Sequence, residues 1–298
     1  MLSGLGLAAL FVGLMTTPPL SGVLIMGSLA ALLLGLGAAS GYQIIARRSR
    51  PADRFRGPSP LLLFGLQFVL VNAVSLVLLT LGLPLGDAQT SPLGFFAATV
   101  VLLAGYLLVV WLFGVRAGAM TWRDMGFLPH LGLGRFLGDI GLGAAVMFGV
   151  ALIAGILGSL VAQLLGVDEP VVVPAPSTAA DIALVALGAG LLVPIGEEIF
   201  FRGYALTAWW RDLGSRAALV RTTVFFALLH IVQISSSTFD EGWRQAVLVL
   251  AVILPVGFAL GWLFMRRGLV ASIAGHAAFN LFAVLVLVMQ QYLPPPPG

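Results

Sequence analysis

The chain has 298 residues, of which 60% are hydrophobic and only 9% charged. A soluble domain carries about 25% charged residues. Fifteen basic and twelve acidic side chains cannot coat a soluble protein of this size, which excludes an ordinary cytosolic enzyme, a disordered chain and a disulfide scaffold. All fifteen basic residues are arginines. Despite a pI near 9.9, they read as residues of membrane edges rather than of a nucleic-acid surface, so no nucleic-acid partner is expected. The chain lacks cysteine, so disulfides, thiolate metal sites and thiol nucleophiles are excluded.

Long unbroken apolar runs, not short alternating segments, point to helices rather than a closed barrel. The fold class read from them is all-α, a polytopic membrane bundle of about eight transmembrane helices. In chain order the expected spans are 22–46, 60–84, 94–115, 137–166, 182–210, 217–233, 245–265 and 269–290, each near the length a hydrocarbon core requires. A shorter apolar stretch, Gly4 to Met15, precedes them and reads as a half-span or an interfacial helix. In the seventh span Pro255, Gly257 and Gly261 suggest a kink and close helix contact. Pro294 to Pro297 cannot continue a helix. Residues 1–135 read as N-terminal membrane helices and loops and 136–298 as a catalytic helical core, within one integral membrane domain.

Twelve arginines fall in alternate loops: Arg47, Arg48, Arg50, Arg54 and Arg56; Arg116, Arg123 and Arg135; Arg211 and Arg216; Arg266 and Arg267. The intervening loops hold only Arg244, with Asp87, Asp168, Glu169, Asp181, Asp240 and Glu241. This bias predicts cytoplasmic arginine loops and a C-terminus outside.

Glu197, Glu198 and Arg202 interrupt the fifth span, His230 lies in the sixth, and His276 and Asn280 lie in the eighth. His130 falls in a loop. Ionisable groups in hydrocarbon cost a few kcal/mol at least, so they face the bundle interior and commonly mark function. Glu198 and Arg202 are four apart and can pair, as His276 and Asn280 share a face; Glu197 points about 100° away from Glu198. Phe226 stands four before His230 and can wall its ring. At 1.5 Å per residue, Glu197 and His230 lie roughly 21 Å from the arginine edge, Asn280 about 20 Å and His276 about 14 Å. Polar groups from three spans thus reach similar depth, which predicts one convergent site.

A carboxylate, two imidazoles and an amide in a dry cavity suit hydrolysis. Glu197 would take a proton from water, His230 would hold that water, and His276 and Asn280 would donate to an oxyanion. Glu198 and Arg202 would be the electrostatic support. Glu197, His230 and His276 are also the types of a zinc site with an open position. No cofactor is favoured and zinc stays open, since His-Glu-x-x-His is absent. Ser272, four before His276, reads as a packing residue. Phe136-Leu-Gly-Asp139 lacks the first glycine of Gly-x-Gly-Asp.

Three blocks, Glu197-Glu198-x-x-x-Arg202, Phe226-x-x-x-His230 and His276-x-x-x-Asn280, resemble the motifs of the CAAX protease and bacteriocin-processing (Abi) family of intramembrane endopeptidases. The run from Arg267 to Asn280 looks like its last motif with the usual lead-in, and the loop Thr121 to Phe127 is similar to a segment upstream of it. The likeness covers about 182–285. It implies that Glu197 and His230 activate a catalytic water and that His276 and Asn280 form the oxyanion site. It also implies a membrane-tethered protein or peptide substrate, with C-terminal prenylation left open. The competing reading is a non-proteolytic membrane scaffold, immunity protein or proton-coupled transporter of the same fold.

Overall fold

The computed structural model describes residues 2–16, 20–85, 88–127, 132–168, 173–232, 234, 236 and 238–292. His130, Asp87, Glu169 and the terminal prolines lie outside them. Among the described residues the chain forms nine continuous helices and no strand: α1 (Leu2–Met15), α2 (Leu20–Ala46), α3 (Pro60–Thr80), α4 (Pro92–Val115), α5 (Leu133–Leu165), α6 (Ala179–Leu213), α7 (Ser215–Ile231), α8 (Phe239–Arg267) and α9 (Leu269–Tyr292). Seven of these, α2 to α6, α8 and α9, are long and apolar enough to cross a membrane, and the chain is a multi-pass integral membrane protein. The expected sixth span is the 17-residue α7, roughly 26 Å long at 1.5 Å per residue. Glu197's helix is longer than expected, running on to Leu213.

Helix starts are written in short side chains. Ser91 accepts from the Gly94 N–H just ahead of Pro92. Thr178 and Asp181 form a reciprocal capping box at α6, and Thr238 accepts from Glu241 N–H at α8. Each arrangement satisfies N–H groups that have no partner within the helix. Two of the reversals are single glycines: Gly214 (φ +82°) joins α6 to α7, and Gly268 (φ +89°) joins α8 to α9. Only a residue without Cβ takes that backbone freely.

In lipid, helices associate by close packing and hydrogen bonds rather than by expelling water, and small residues mark the contacts. Helix α1 folds back along α2, with Gly6 against Leu32 and Gly13 against Leu24 and Ile25. A Cβ on Gly143 of α5 would stand 2.2 Å from the Ala271 carbonyl oxygen of α9, and one on Gly275 would stand 3.0 Å from Gly143 O. Gly196 of α6 lies on Leu103 and Tyr106 of α4. Gly257 and Gly261 of α8 meet Phe226 and Leu219 of α7. The main apolar core draws on both sides of position 135: Phe55, Leu63, Tyr106 and Met125 pack with Phe200, Phe201, Tyr204 and Phe226.

The arginine-bearing connections gather at one end. Arg50 pairs with Asp212 at 3.2 Å, and Arg54 donates to the Asp212 carbonyl. Arg211 pairs with Asp124 at 2.8 Å, and Leu269 N–H donates to Gly126 O. Asp139 is buried between Arg135 (2.9 Å) and Arg267 (2.8 Å), so its carboxylate ties α5 to the end of α8. Partial burial pushes the Asp124 carboxyl up, but hydrogen bonds from Thr121 and the Arg211 guanidinium outweigh this and hold it below the usual carboxylate value. Arg244 sits at the opposite end, donating to Leu165 O.

Candidate active site

Helix α6 is not a uniform α-helix. It widens to π-helical turns at Gly188–Leu192 and Ile199–Leu206, on either side of the two glutamates. Such widenings recur at functional sites. Pro194 explains the first. It has no N–H to give to Gly190 O, and the N–H of Val193 reaches back five residues to Gly188 O. The Ala189 carbonyl is thereby left without a backbone donor, and Asn280 of α9 fills it: its Nδ2 donates to Ala189 O at 2.7 Å. In the second widened stretch the Thr207 hydroxyl donates to Arg202 O at 3.4 Å.

Glu198 is the hub. Its Oε1 accepts from Arg202 (2.7 Å) and faces His276 Nδ1 (2.8 Å), and its Oε2 is hydrogen-bonded by the Ser272 hydroxyl. Glu198, Arg202 and Ser272 are all 0% exposed. Arg202 also donates to Gly257 O at 3.2 Å and lies 4.3 Å over the Phe226 ring. Buried ions need this many partners, because desolvation otherwise outweighs their attraction. The Phe226 ring stands 4.5 Å from the His230 ring and 6.0 Å, edge to face, from that of His276. Side chains of α6, α7 and α9, with a backbone carbonyl of α8, therefore meet round one aromatic wall.

Glu197 behaves differently. It is buried, yet its Oε2 has no hydrogen-bond partner. His276 Nε2 stands 3.9 Å from it, too long for a direct hydrogen bond. With Nδ1–H on Glu198, His276 presents Nε2 to this side: a lone pair when neutral, an N–H when both nitrogens are protonated. Partly buried His230 spends its Nδ1 on Phe226 O at 2.8 Å, and Glu197, His276 and Arg202 are its electrostatic neighbours. Its Nε2 is the nitrogen left to act.

The structure thus gathers Glu197, Glu198, Arg202, Phe226, His230 and His276. It holds Asn280 one helical turn beyond His276, with one of its two amide hydrogens already on Ala189 O. Ser272, expected to be a packing residue, is instead a polar partner of Glu198. Tyr106 of α4, outside all three motifs, is buried within electrostatic reach of Glu197. A polar tip in an otherwise apolar span was the signal for it. Among the described residues, no three His, Asp or Glu side chains are grouped to hold a metal ion.

Residues 179–282 match the family model described as Rce1-like, type II CAAX prenyl endopeptidase Rce1-like. This segment is thus similar to that family's domain. No curated protein and no solved structure matches the chain. The matched segment starts at the capping box of α6 and ends just past Asn280, so it holds every motif residue. Helices α4 and α5 lie outside it and still shape it, through Gly196 on Leu103 and Gly143 on Ala271.

The amide of Asn280 yields a prediction. Asn280→Ala removes the donor to Ala189 O and any donor offered to a reacting oxygen. We expect kcat to fall about 100- to 1,000-fold, with a stability loss of about 1–3 kcal/mol for the orphaned carbonyl. Steady-state kinetics beside thermal denaturation separates the two. Unchanged kcat would remove Asn280 from the site's chemistry.

Proposed function

We propose that the protein is an intramembrane endopeptidase that hydrolyses a peptide bond of a membrane-tethered substrate with a water activated by Glu197. The observation that carries this reading is the buried, unpartnered Glu197 Oε2, 3.9 Å from an imidazole nitrogen. A carboxylate with no internal partner is suited to hold water and take its proton. His230 Nε2 would fix the same water in line with the scissile carbonyl. As water attacks, the carbonyl oxygen becomes an oxyanion. His276 Nε2, when protonated, and the second N–H of Asn280 would donate to it. The proton on Glu197 then passes to the leaving amine as the C–N bond breaks. Glu198 and Arg202 keep a second charge neutralised and fix the His276 ring. The Rce1-like match supports a peptide substrate reached from within the bilayer. Whether that substrate is prenylated is a matter for the assay.

The test is release of product from a membrane-tethered peptide, with and without a prenyl group, by the full chain in lipid vesicles. Absence of cleavage from both peptides, together with pH-dependent solute uptake, would favour a proton-coupled transporter instead. If a metal took part, Glu197, His230 and His276 would be its ligands and it would polarise the scissile carbonyl. We expect cleavage to survive a chelator with under twofold change; loss restored by stoichiometric zinc would replace the metal-free scheme.

We also propose that the arginine end of the bundle is cytoplasmic and the C-terminus outside, from the arginine bias and the gathering of those connections at one end. The absence of native cysteine makes single-cysteine probes clean. Arg123→Cys should be blocked from a membrane-impermeant thiol reagent in intact cells, and Ser177→Cys should react. The reverse pattern would invert the topology.

A further inference from the structure

A cavity of about 300 Å³ opens at the arginine end, between the loop after α2, the loop after α4 and the end of α6. Arg54, Arg56, Arg211, Asp124 and Trp122 are among its walls. Its charges do not cancel. Asp124 is matched by Arg211 at 2.8 Å. Among the described residues, Arg54 and Arg56 donate to backbone carbonyls, of Asp212 and Arg50, and neither is ion-paired, which leaves two positive charges over. Both line the cavity and are exposed. Guanidinium groups match phosphate oxygens in pairs, and basic pockets at helix ends suit anionic headgroups.

Arg211 lies fourteen residues beyond Glu197 on one helix, about 21 Å, so the cavity is well separated from the candidate active site. We infer that this pocket binds a phosphate-bearing anion, the headgroup of an acidic phospholipid or a free phosphate compound, at a site separate from Glu197.

The experiment measures binding to the full-length protein in neutral-lipid micelles. The probes are phosphatidylglycerol, phosphatidylcholine and inorganic phosphate. The proteins are wild type, Arg54→Gln with Arg56→Gln, Arg54→Lys with Arg56→Lys, and Arg123→Gln. Arg123 is exposed in the same loop but does not line the cavity. We expect phosphatidylglycerol to bind more tightly than phosphatidylcholine, weakening roughly 20- to 30-fold in the double Gln variant. The double Lys variant should retain most of the affinity, and Arg123→Gln should change it less than twofold. The same loss seen with inorganic phosphate assigns a soluble ligand; a loss confined to phosphatidylglycerol assigns a lipid. Equal weakening by Arg123→Gln, or no preference for either phosphate probe, overturns the inference. Cleavage is not the readout, so failure here leaves the catalytic reading untouched.

Discussion

Glu197→Gln should abolish proteolysis while leaving the protein folded, with kcat/KM down by about 100- to 10,000-fold, the span of a general base. The substitution keeps the shape of the side chain and removes its capacity to take a proton. It costs little structurally, because Glu197 Oε2 has no hydrogen bond to lose. Insertion, yield and melting temperature should therefore match wild type. The comparison with His230→Ala is informative: that ring's Nδ1 already faces Phe226 O, so its loss should lower the rate with a modest effect on stability. Cleavage at the wild-type rate by Glu197→Gln would end the proposal, whatever the motif match.

Glu198→Ala should do the opposite, failing first as a structure. It strips three groups of their partner at once: Arg202, Ser272 and His276 Nδ1. Arg202 is 0% exposed, so its charge would be left with the Gly257 carbonyl and the Phe226 and Phe201 rings, and without its paired carboxylate. Removing one member of such a pair costs about 3–5 kcal/mol. Arg202→Met should cost less, because Ser272 and His276 still hold the carboxylate. Denaturation in detergent would show the order wild type, Arg202→Met, Glu198→Ala. Glu198→Ala as stable as wild type would mean that the buried hub is not what holds the three motif helices together.

Much of this was legible because lipid makes polar residues conspicuous. Composition and apolar runs were enough for an all-helical membrane bundle, and the spacing of Glu198 and Arg202 was enough for their ion pair. Spacing did not tell that α6 would leave the α-helical pattern, since a proline within a span can kink or widen a helix, and the side chain that satisfies the freed Ala189 carbonyl comes much later in the chain. For the same reason Asn280's tie to Ala189 O was hidden, as both ends lie on different helices and one is a backbone carbonyl. Ser272 looked like a small packing residue because serine serves both purposes. The end of α7 was placed two residues late, since Val232 is apolar enough to extend a span that the helix itself ends at Ile231.

The widened turn at Gly188–Leu192 also sets which glutamate does what. A π-turn takes up one residue more than an α-turn, so everything after it slips in phase by about one position, or 100°. Adjacent residues on a helix differ by that same angle. Were the turn wound tight, with the start of α6 held in place, Glu197 would swing to the bearing now occupied by Glu198, and Glu198 would rotate away from Ser272 and His276 of α9. Which of two chemically identical neighbours faces α9 is thus set by helical phase upstream, and tightening that turn would put Glu197 where Glu198 now stands without touching either carboxylate.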